Sequence, residues 1–346
     1  MSPVSRTPGP QVTKKTSALI GRRFAPTDLP FAQSLSYSFQ IRHETLRIAV
    51  IQMLEEALGI QPDGTIEPPT PAWDPEADAE VEEELAQMAD AEKPRFEPFK
   101  DLYKRRLLWY YDTYLQTIDT YAQKNKDGER FEKMPFEGGS NSMDGVFQYT
   151  DLRRRLSFIK DVIYAETNKW AEEGMIAKQR ELSVAANLQR QFEQLVEHHR
   201  IKNMVTLNLE LVNGNPFVWQ ITYFGRPMTH LDGGVLRIRV CLSPRFPDEQ
   251  PRVRIETPIY HHRVSKDGIV CYFPKKLDEG SMKGHVEAII DALEDESPPF
   301  DPRTIVNPEA TKLFWGSAED KKRYNRMLRG SVQKTDDPSG VGRAPD

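Results

Sequence analysis

The chain has 346 residues, of which 38% are hydrophobic and 29% charged, and its formal net charge is -5 at pH 7. This length suggests two domains, and the negative charge gives no support to general nucleic-acid binding. Two cysteines, Cys241 and Cys271, are too few for a disulfide framework or a cysteine-based metal site, which favours a reducing, cytoplasmic compartment. No apolar run is long enough to span a bilayer, and residues 1–15 lack the apolar core of a secretory signal, so we expect no membrane partner.

The first half of the chain is predicted to be helical. Residues 1–30 contain several prolines and are expected to be flexible, and residues 31–185 form the predicted helical domain. Within it, the proline-rich and acidic residues 61–92 and the loop 126–145 interrupt the pattern. Apolar residues recur at helical spacing in three segments, with Gly59 at the expected end of the first: Leu46 to Leu58, Tyr103 to Tyr121, and Leu152 to Trp170.

A mixture of aromatic and basic residues lies on the second of these helices. The triplet Lys104-Arg105-Arg106 and the run Trp109-Tyr110-Tyr111 could be interpreted as a nucleic-acid surface. Aromatic residues at this spacing usually belong to a core, and a basic triplet usually belongs to a solvated face. We therefore expect no nucleic-acid partner.

From about residue 204 the pattern changes to short alternating strands. A helix near 186–199 joins the two halves, strands are separated by Gly and Pro turns, and apolar helical stripes follow. Strands followed by helices indicate an α+β domain at 186–334, with an antiparallel meander sheet and flanking helices, and a flexible tail at 335–346. The strand residues are Val205, Leu207 and Leu209; Val218 to Phe224; Leu236 to Leu242; and Val253 and Ile255.

Several short motifs occur in this second half in one fixed order. They are Trp219-Gln220-Ile221-Thr222, Phe224-Gly225-Arg226-Pro227-Met228-Thr229, Asp232-Gly233-Gly234-Val235, Ser243-Pro244-Arg245-Phe246-Pro247, Ile259-Tyr260-His261-His262-Arg263 and Gly268-Ile269-Val270-Cys271. In order and spacing they resemble the ubiquitin-conjugating enzymes. The last two fall where that family has Ile-x-His-Pro-Asn and Gly-x-Ile-Cys. The resemblance extends from about residue 188 to 332 and implies the ubiquitin-conjugating-enzyme-like fold.

Cys271 is the candidate nucleophile. A thiol in a partly exposed, electropositive loop has a lowered pKa, whereas a buried cysteine behaves as a small hydrophobic residue. The resemblance implies that Cys271 accepts ubiquitin or a ubiquitin-like protein from the thioester of an activating enzyme and transfers it to an amine. This chemistry requires no metal or other cofactor. The helical domain would then select a ligase or a dedicated partner.

The motif around the cysteine departs from the family pattern. His261 retains the family's histidine and is expected to hold the loop beneath the site. Arg263 replaces the asparagine that stabilises the oxyanion, and it either takes over that role or is a loop residue that pairs with Asp267 or faces water. His262 could be a general base or an exposed loop residue. The acidic or hydroxyl group beyond the cysteine could be Asp301 or Thr304.

Two functions from different classes remain open. One is an active, divergent conjugating enzyme, which the retained Cys271 favours. The other is a catalytically impaired binding or scaffold module, which the missing asparagine favours. A cysteine hydrolase is a more distant alternative, because only the neighbouring histidines support it.

Overall fold

The computed structural model of the protein describes residues 39–67, 99–133, 144–201 and 206–334. The expectations for residues 1–30, for most of the acidic stretch 61–92 and for the tail 335–346 lie outside these residues. Among the described residues, no helix is long and apolar enough to cross a membrane.

Four helices form the first half of the described chain. Residues 39–58 are helical (α1), with a π-helical stretch at Thr45–Gln52 followed by Met53–Leu58. Gly59 ends α1 with φ +67°, which confirms the predicted cap, because glycine tolerates the left-handed conformation. The others are α2 (Phe99–Ala122), α3 (Tyr149–Gln179) and α4 (Ser183–Ile201).

The basic triplet of α2 does not form a solvated face. Lys104 is buried and its Nζ lies 2.6 Å from Glu166 of α3, and Arg105 pairs with Asp101 at 2.9 Å. Only Arg106 is exposed. The neighbouring Trp109 is core, as the spacing predicted. The prediction of a solvated triplet was wrong because α2 is covered on more than one side, which its own periodicity does not reveal.

The second half contains the predicted antiparallel meander. Its strands are β1 (Leu207–Leu211), β2 (Val218–Phe224), β3 (Val235–Cys241) and β4 (Arg252–Ile255), in spatial order 1-2-3-4. One face is apolar because alternate residues point to the same side of a strand. Trp219, Ile221 and Tyr223 of β2 are fully buried opposite Val240, Ile238 and Leu236 of β3.

Three helices follow the sheet, and each begins with a side-chain cap. They are α5 (Met282–Glu294), α6 (Pro308–Phe314) and α7 (Ala318–Gln333). Their caps are Ser281, Asn307 and the Ser317–Asp320 capping box. Two short 3-10 turns precede α5 and α6, at Lys276–Asp278 and Pro302–Thr304. The α+β fold, with a helical region before it, is confirmed.

The two halves share an apolar core. One cluster of buried residues lies between the sheet, α4 and the C-terminal helices. A second lies between α1, α2 and α3, and it includes Ile269, Cys271 and Val306 from the second half. Close packing continues at α3, where a Cβ on Gly174 would lie 2.6 Å from the Phe217 ring. The candidate nucleophile is therefore located where the two halves meet.

Candidate active site

A tight hairpin between β4 and Cys271 builds the site. Gly268 has φ +83°, and a Cβ there would lie 2.2 Å from the Ile255 carbonyl oxygen, so only glycine fits this turn. Ser265 closes the turn by accepting hydrogen bonds from Gly268 N and, through Oγ, from Ile269 N. The Cys271 amide then donates to the Arg263 carbonyl at 2.9 Å. Arg263 and Cys271, eight positions apart in sequence, thus lie opposite each other.

The Cys271 side chain is fully buried, with 0% of its surface exposed. Burial raises the pKa of its thiol to about 12, although Arg263, Arg303 and Arg106 act in the opposite direction. The thiol lies 3.6 Å from the Arg303 carbonyl oxygen, its hydrogen-bond acceptor. The expectation of a partly exposed thiol with a lowered pKa is wrong for this conformation, because desolvation outweighs the nearby positive charges.

Helix α2 covers the cysteine. Trp109 packs edge-on against Phe273, with ring centroids 5.3 Å apart, and the Tyr110 hydroxyl donates to the Arg303 carbonyl. Two residues further along α2, an Asp112 carboxylate oxygen accepts from the Lys266 amide at 2.8 Å. These contacts join α2 to the hairpin, to the segment after Cys271 and to the Pro302–Thr304 turn. Sequence reasoning identified Tyr110 only as a core aromatic, because helical periodicity reports that a residue is buried but not what it packs against.

Arg263 lies beside the thiol, as its position in the motif implied. Its positive charge acts to lower the pKa of the Cys271 thiol and of the Asp301 carboxyl. Its Nε is buried and has no hydrogen-bond partner among the described residues. Among the described residues no ion pair joins Arg263 to Asp267, whose carboxylate lies 2.9 Å from Lys160 of α3. Arg263 is half-buried rather than fully exposed to water.

His261 holds the loop that carries Arg263 through two hydrogen bonds of its ring. Its Nδ1 accepts from the Arg263 amide at 3.1 Å, and its ring also hydrogen-bonds to the Leu293 backbone on α5. Burial, helped by the charge of Arg263, lowers the pKa of His261 to about 3, so the ring is neutral. A neutral ring can accept at one nitrogen and donate at the other. His261 is therefore placed to orient Arg263.

His262 is neither exposed nor positioned as a general base. Its ring stacks on Phe314 with centroids 4.0 Å apart, and its Nδ1 lies 3.0 Å from the Tyr324 hydroxyl. Burial lowers its pKa to about 2. Both earlier interpretations are wrong, because the backbone turns this ring away from the cysteine and into the core beside α6 and α7.

The turn before α6 brings Asp301 and Thr304 near the site. Asp301 caps the turn and pairs with Arg303 at 2.7 Å. Its negative charge acts to raise the pKa of the Cys271 thiol. The Thr304 hydroxyl donates to the Asp301 carbonyl. Of the two, only Asp301 acts on the thiol through its charge. Among the described residues, no group of three or more His, Cys, Asp or Glu side chains could hold a metal ion.

The part of the chain that carries the hairpin is similar to known proteins. Residues 187–295, which include the hairpin and Cys271, match the family model described as ubiquitin-conjugating enzyme. This region of the chain is therefore similar to the ubiquitin-conjugating enzymes. The chain is also 25% identical over 123 residues to Ubiquitin-conjugating enzyme E2 3 of Arabidopsis thaliana, covering 36% of this chain and 79% of that protein.

The ubiquitin-conjugating-enzyme region thus accounts for the sheet, α5 and the hairpin. The matched residues end before the Pro302–Thr304 turn, α6 and α7, which complete the site in space. They begin within α4, so α1, α2 and α3 lie outside the match. The chain is therefore a conjugating-enzyme-like protein whose candidate cysteine is covered by a helix outside the family region.

Proposed function

We propose that the protein accepts ubiquitin or a ubiquitin-like protein as a thioester on Cys271 and transfers it to an amine. The observation that carries this proposal is the hairpin, which places Cys271 opposite Arg263 within a region of the conjugating family. An activating enzyme would supply the modifier, and a ligase or dedicated partner would dock through the helical half. Cys241 lies at the end of β3, and we expect it to be structural.

The reaction consists of two acyl transfers. The Cys271 thiolate attacks the thioester carbonyl on the activating enzyme, a new S–C bond forms, and the activating enzyme's thiolate leaves. An amine then attacks the Cys271 thioester, the Cys271 thiolate leaves, and the proton lost by the amine passes to the departing sulfur, directly or through solvent, as the amide forms. In this proposal Arg263 would donate a hydrogen bond to the oxyanion of each tetrahedral intermediate, which is supported by the hydrogen bond from its backbone amide to His261 Nδ1.

A thioester assay tests the proposal. The protein is incubated with ATP, candidate modifiers and their activating enzymes, and products are separated on non-reducing gels. We expect an adduct that thiol reagents cleave and that is absent from Cys271→Ala but present in Cys241→Ala. An adduct that persists in Cys271→Ala would reject the assignment.

The burial of Cys271 favours a second candidate function. A fully buried thiol with a raised pKa is the property of a structural cysteine, which a catalytically impaired scaffold module would have. Such a module would bind a modifier or a conjugating enzyme without forming a thioester. Binding that is equal for wild type and Cys271→Ala, with no adduct in either, would support this second function.

We also propose a cytoplasmic location. Both cysteines are free, and a thioester carrier needs a reduced thiol. Fluorescence imaging of the tagged full chain would test this location, and signal confined to a secretory compartment would contradict it.

A further inference from the structure

We propose that α2 is an autoinhibitory lid on Cys271, and that the thiol becomes reactive only when α2 separates from the Pro302–Thr304 turn. This inference rests on the proposed function. It assigns to a helix outside the conjugating-enzyme region the control of when the cysteine is charged.

The first argument is access. Acyl transfer requires the attacking sulfur and the carbonyl carbon to approach within about 3.5 Å along a defined direction. The Cys271 side chain has no exposed surface, and it lies in the apolar cluster of the helical half together with Leu107, Leu108 and Tyr111 of α2. No carbonyl group can reach the sulfur in this arrangement, so charging requires an opening.

The second argument identifies what must separate. The Arg303 carbonyl accepts from the Cys271 thiol and also from the Tyr110 hydroxyl. Tyr110 therefore ties α2 to the turn directly over the sulfur. Thr113, one helical turn along, makes a 3.5 Å contact from its hydroxyl to the Ile305 carbonyl. Both contacts join a side chain of α2 to the backbone of the segment that closes the site.

The third argument concerns the difference between the start and the middle of α2. At its start, Asp101 pairs with Arg252 in a buried contact that also receives the Gln250 amide. Around Tyr110, each polar tie to the turn is a single hydrogen bond, and the Arg303 side chain and Phe300 on the facing segment are exposed. Apolar packing, such as that of Trp109 on Phe273, also has to separate there, but it leaves no buried charge unpaired. A buried charge pair is much more costly to break than a single hydrogen bond at the surface. We therefore place the opening at Tyr110–Thr113 and the fixed point at Asp101.

Thiol labelling measures this opening without any conjugation chemistry. In a Cys241→Ala background Cys271 is the only thiol, and its alkylation rate reports how often the site opens. Tyr110→Phe removes one hydroxyl and should raise the rate about fivefold, the effect of losing one hydrogen bond. Tyr110→Ala combined with Asp112→Ala should raise it at least about tenfold.

The matched control is Gln116→Ala, which changes an exposed residue of the same helix and should leave the rate unchanged. Labelling is repeated in low urea to distinguish local opening from unfolding. Local opening exposes little surface, so its rate should hardly depend on urea. The lid is rejected if wild type labels as fast as an unstructured cysteine peptide, if the Tyr110 variants label at the wild-type rate, or if labelling follows global unfolding.

The thioester assay on the same variants separates this inference from the proposed function. If both hold, the rate of charging should rise by the same factor as the rate of labelling. Faster labelling without a thioester in any variant would retain the lid and reject the conjugating activity. A thioester that forms equally fast in all variants, with unchanged labelling, would retain the activity and reject the lid.

Discussion

An Asp101 carboxylate oxygen on α2 lies 2.6 Å from an Arg252 guanidinium nitrogen on β4, so a buried ion pair joins the two halves of the chain. The Trp170 ring of α3 lies 5.0 Å from the same guanidinium. Burial alone would raise the pKa of Asp101, but the charge of Arg252, followed by that of Arg105, lowers it below its usual value. The pair stays charged at neutral pH and holds α2 against the sheet.

Removing one partner of this pair should be strongly destabilising. Asp101→Asn leaves Arg252 buried with an uncompensated charge, and we expect a loss of about 3 kcal/mol in the free energy of unfolding. Because the folded pKa of Asp101 is depressed, its contribution is present above the unfolded pKa and is lost as the pH falls through the folded pKa. Urea unfolding measures both effects.

Asp119→Asn is the matched control for that substitution. Asp119 lies on α2, like Asp101, and pairs with Arg153 of α3, but both side chains of this pair are about half exposed. The change should cost less than about 1 kcal/mol. Equal losses for the two variants would contradict a special role for the Asp101 pair.

Gly174→Ala should weaken the packing between α3 and the sheet half. The added Cβ would lie 2.6 Å from the Phe217 ring, which is fully buried and cannot move away freely. We expect a loss of about 1–3 kcal/mol in thermal or urea unfolding. Gly330→Ala in α7 is the control, because nothing lies within 4 Å of its Cβ, and it should stabilise by about 0.5–1 kcal/mol. If Gly174→Ala left the free energy of unfolding unchanged, the two halves would have to pack loosely at this point.

Arg263 should act on the discharge of the thioester. A positioned oxyanion donor is worth about 3 kcal/mol, so Arg263→Ala should slow single-turnover discharge onto free lysine roughly a hundredfold, and Arg263→Asn should restore part of it. A preformed thioester already holds the site open, so opening does not limit this assay. Lys266→Ala, on the exposed part of the same hairpin, is the control. Discharge of Arg263→Ala at the wild-type rate would assign the oxyanion to other donors.

The buried histidines should make the protein sensitive to acid. His261 and His262 have folded pKa values of about 3 and about 2, far below their usual value near 6.5. Below pH about 6.5 the unfolded chain gains protons that the folded chain does not, so stability falls by up to about 1.4 kcal/mol per pH unit for each histidine.

His262→Phe keeps a ring stacked on Phe314 and removes one titrating group. The slope of unfolding free energy against pH, measured between pH 6 and 4, should fall by about 1.4 kcal/mol per pH unit, which corresponds to one proton. Tyr324→Phe is the control, because it removes the hydroxyl partner but keeps the histidine, and it should lower stability at all pH values without changing this slope. Wild-type slopes for both variants would contradict the assignment.

Limited proteolysis tests the division at 31–185 and 186–334. The earliest cuts should fall before residue 30, within 61–95 or within 126–145, because these stretches interrupt the helical pattern. Mass spectrometry of the first fragments identifies the sites. Early cutting inside 204–330 would reject the division.

Much of the conjugating-enzyme region could be predicted from the sequence. Alternation in Trp219, Ile221 and Tyr223 predicts the buried face of β2, and Gly59 predicts the end of α1. Gly268 and Cys271 mark the turn and the candidate nucleophile. These features are local, because strand alternation, helix capping and left-handed glycines depend on neighbouring residues in the chain.

The environment of the cysteine was decided only by the tertiary structure. The basic and histidine-rich loop predicted an exposed, activated thiol, but α2 arrives from more than 150 positions away in sequence and excludes water from it. The same long-range packing buries His262 and Lys104, which the sequence alone placed at the surface. A pKa depends on desolvation as well as on nearby charge, and desolvation is set by elements that a local motif does not contain.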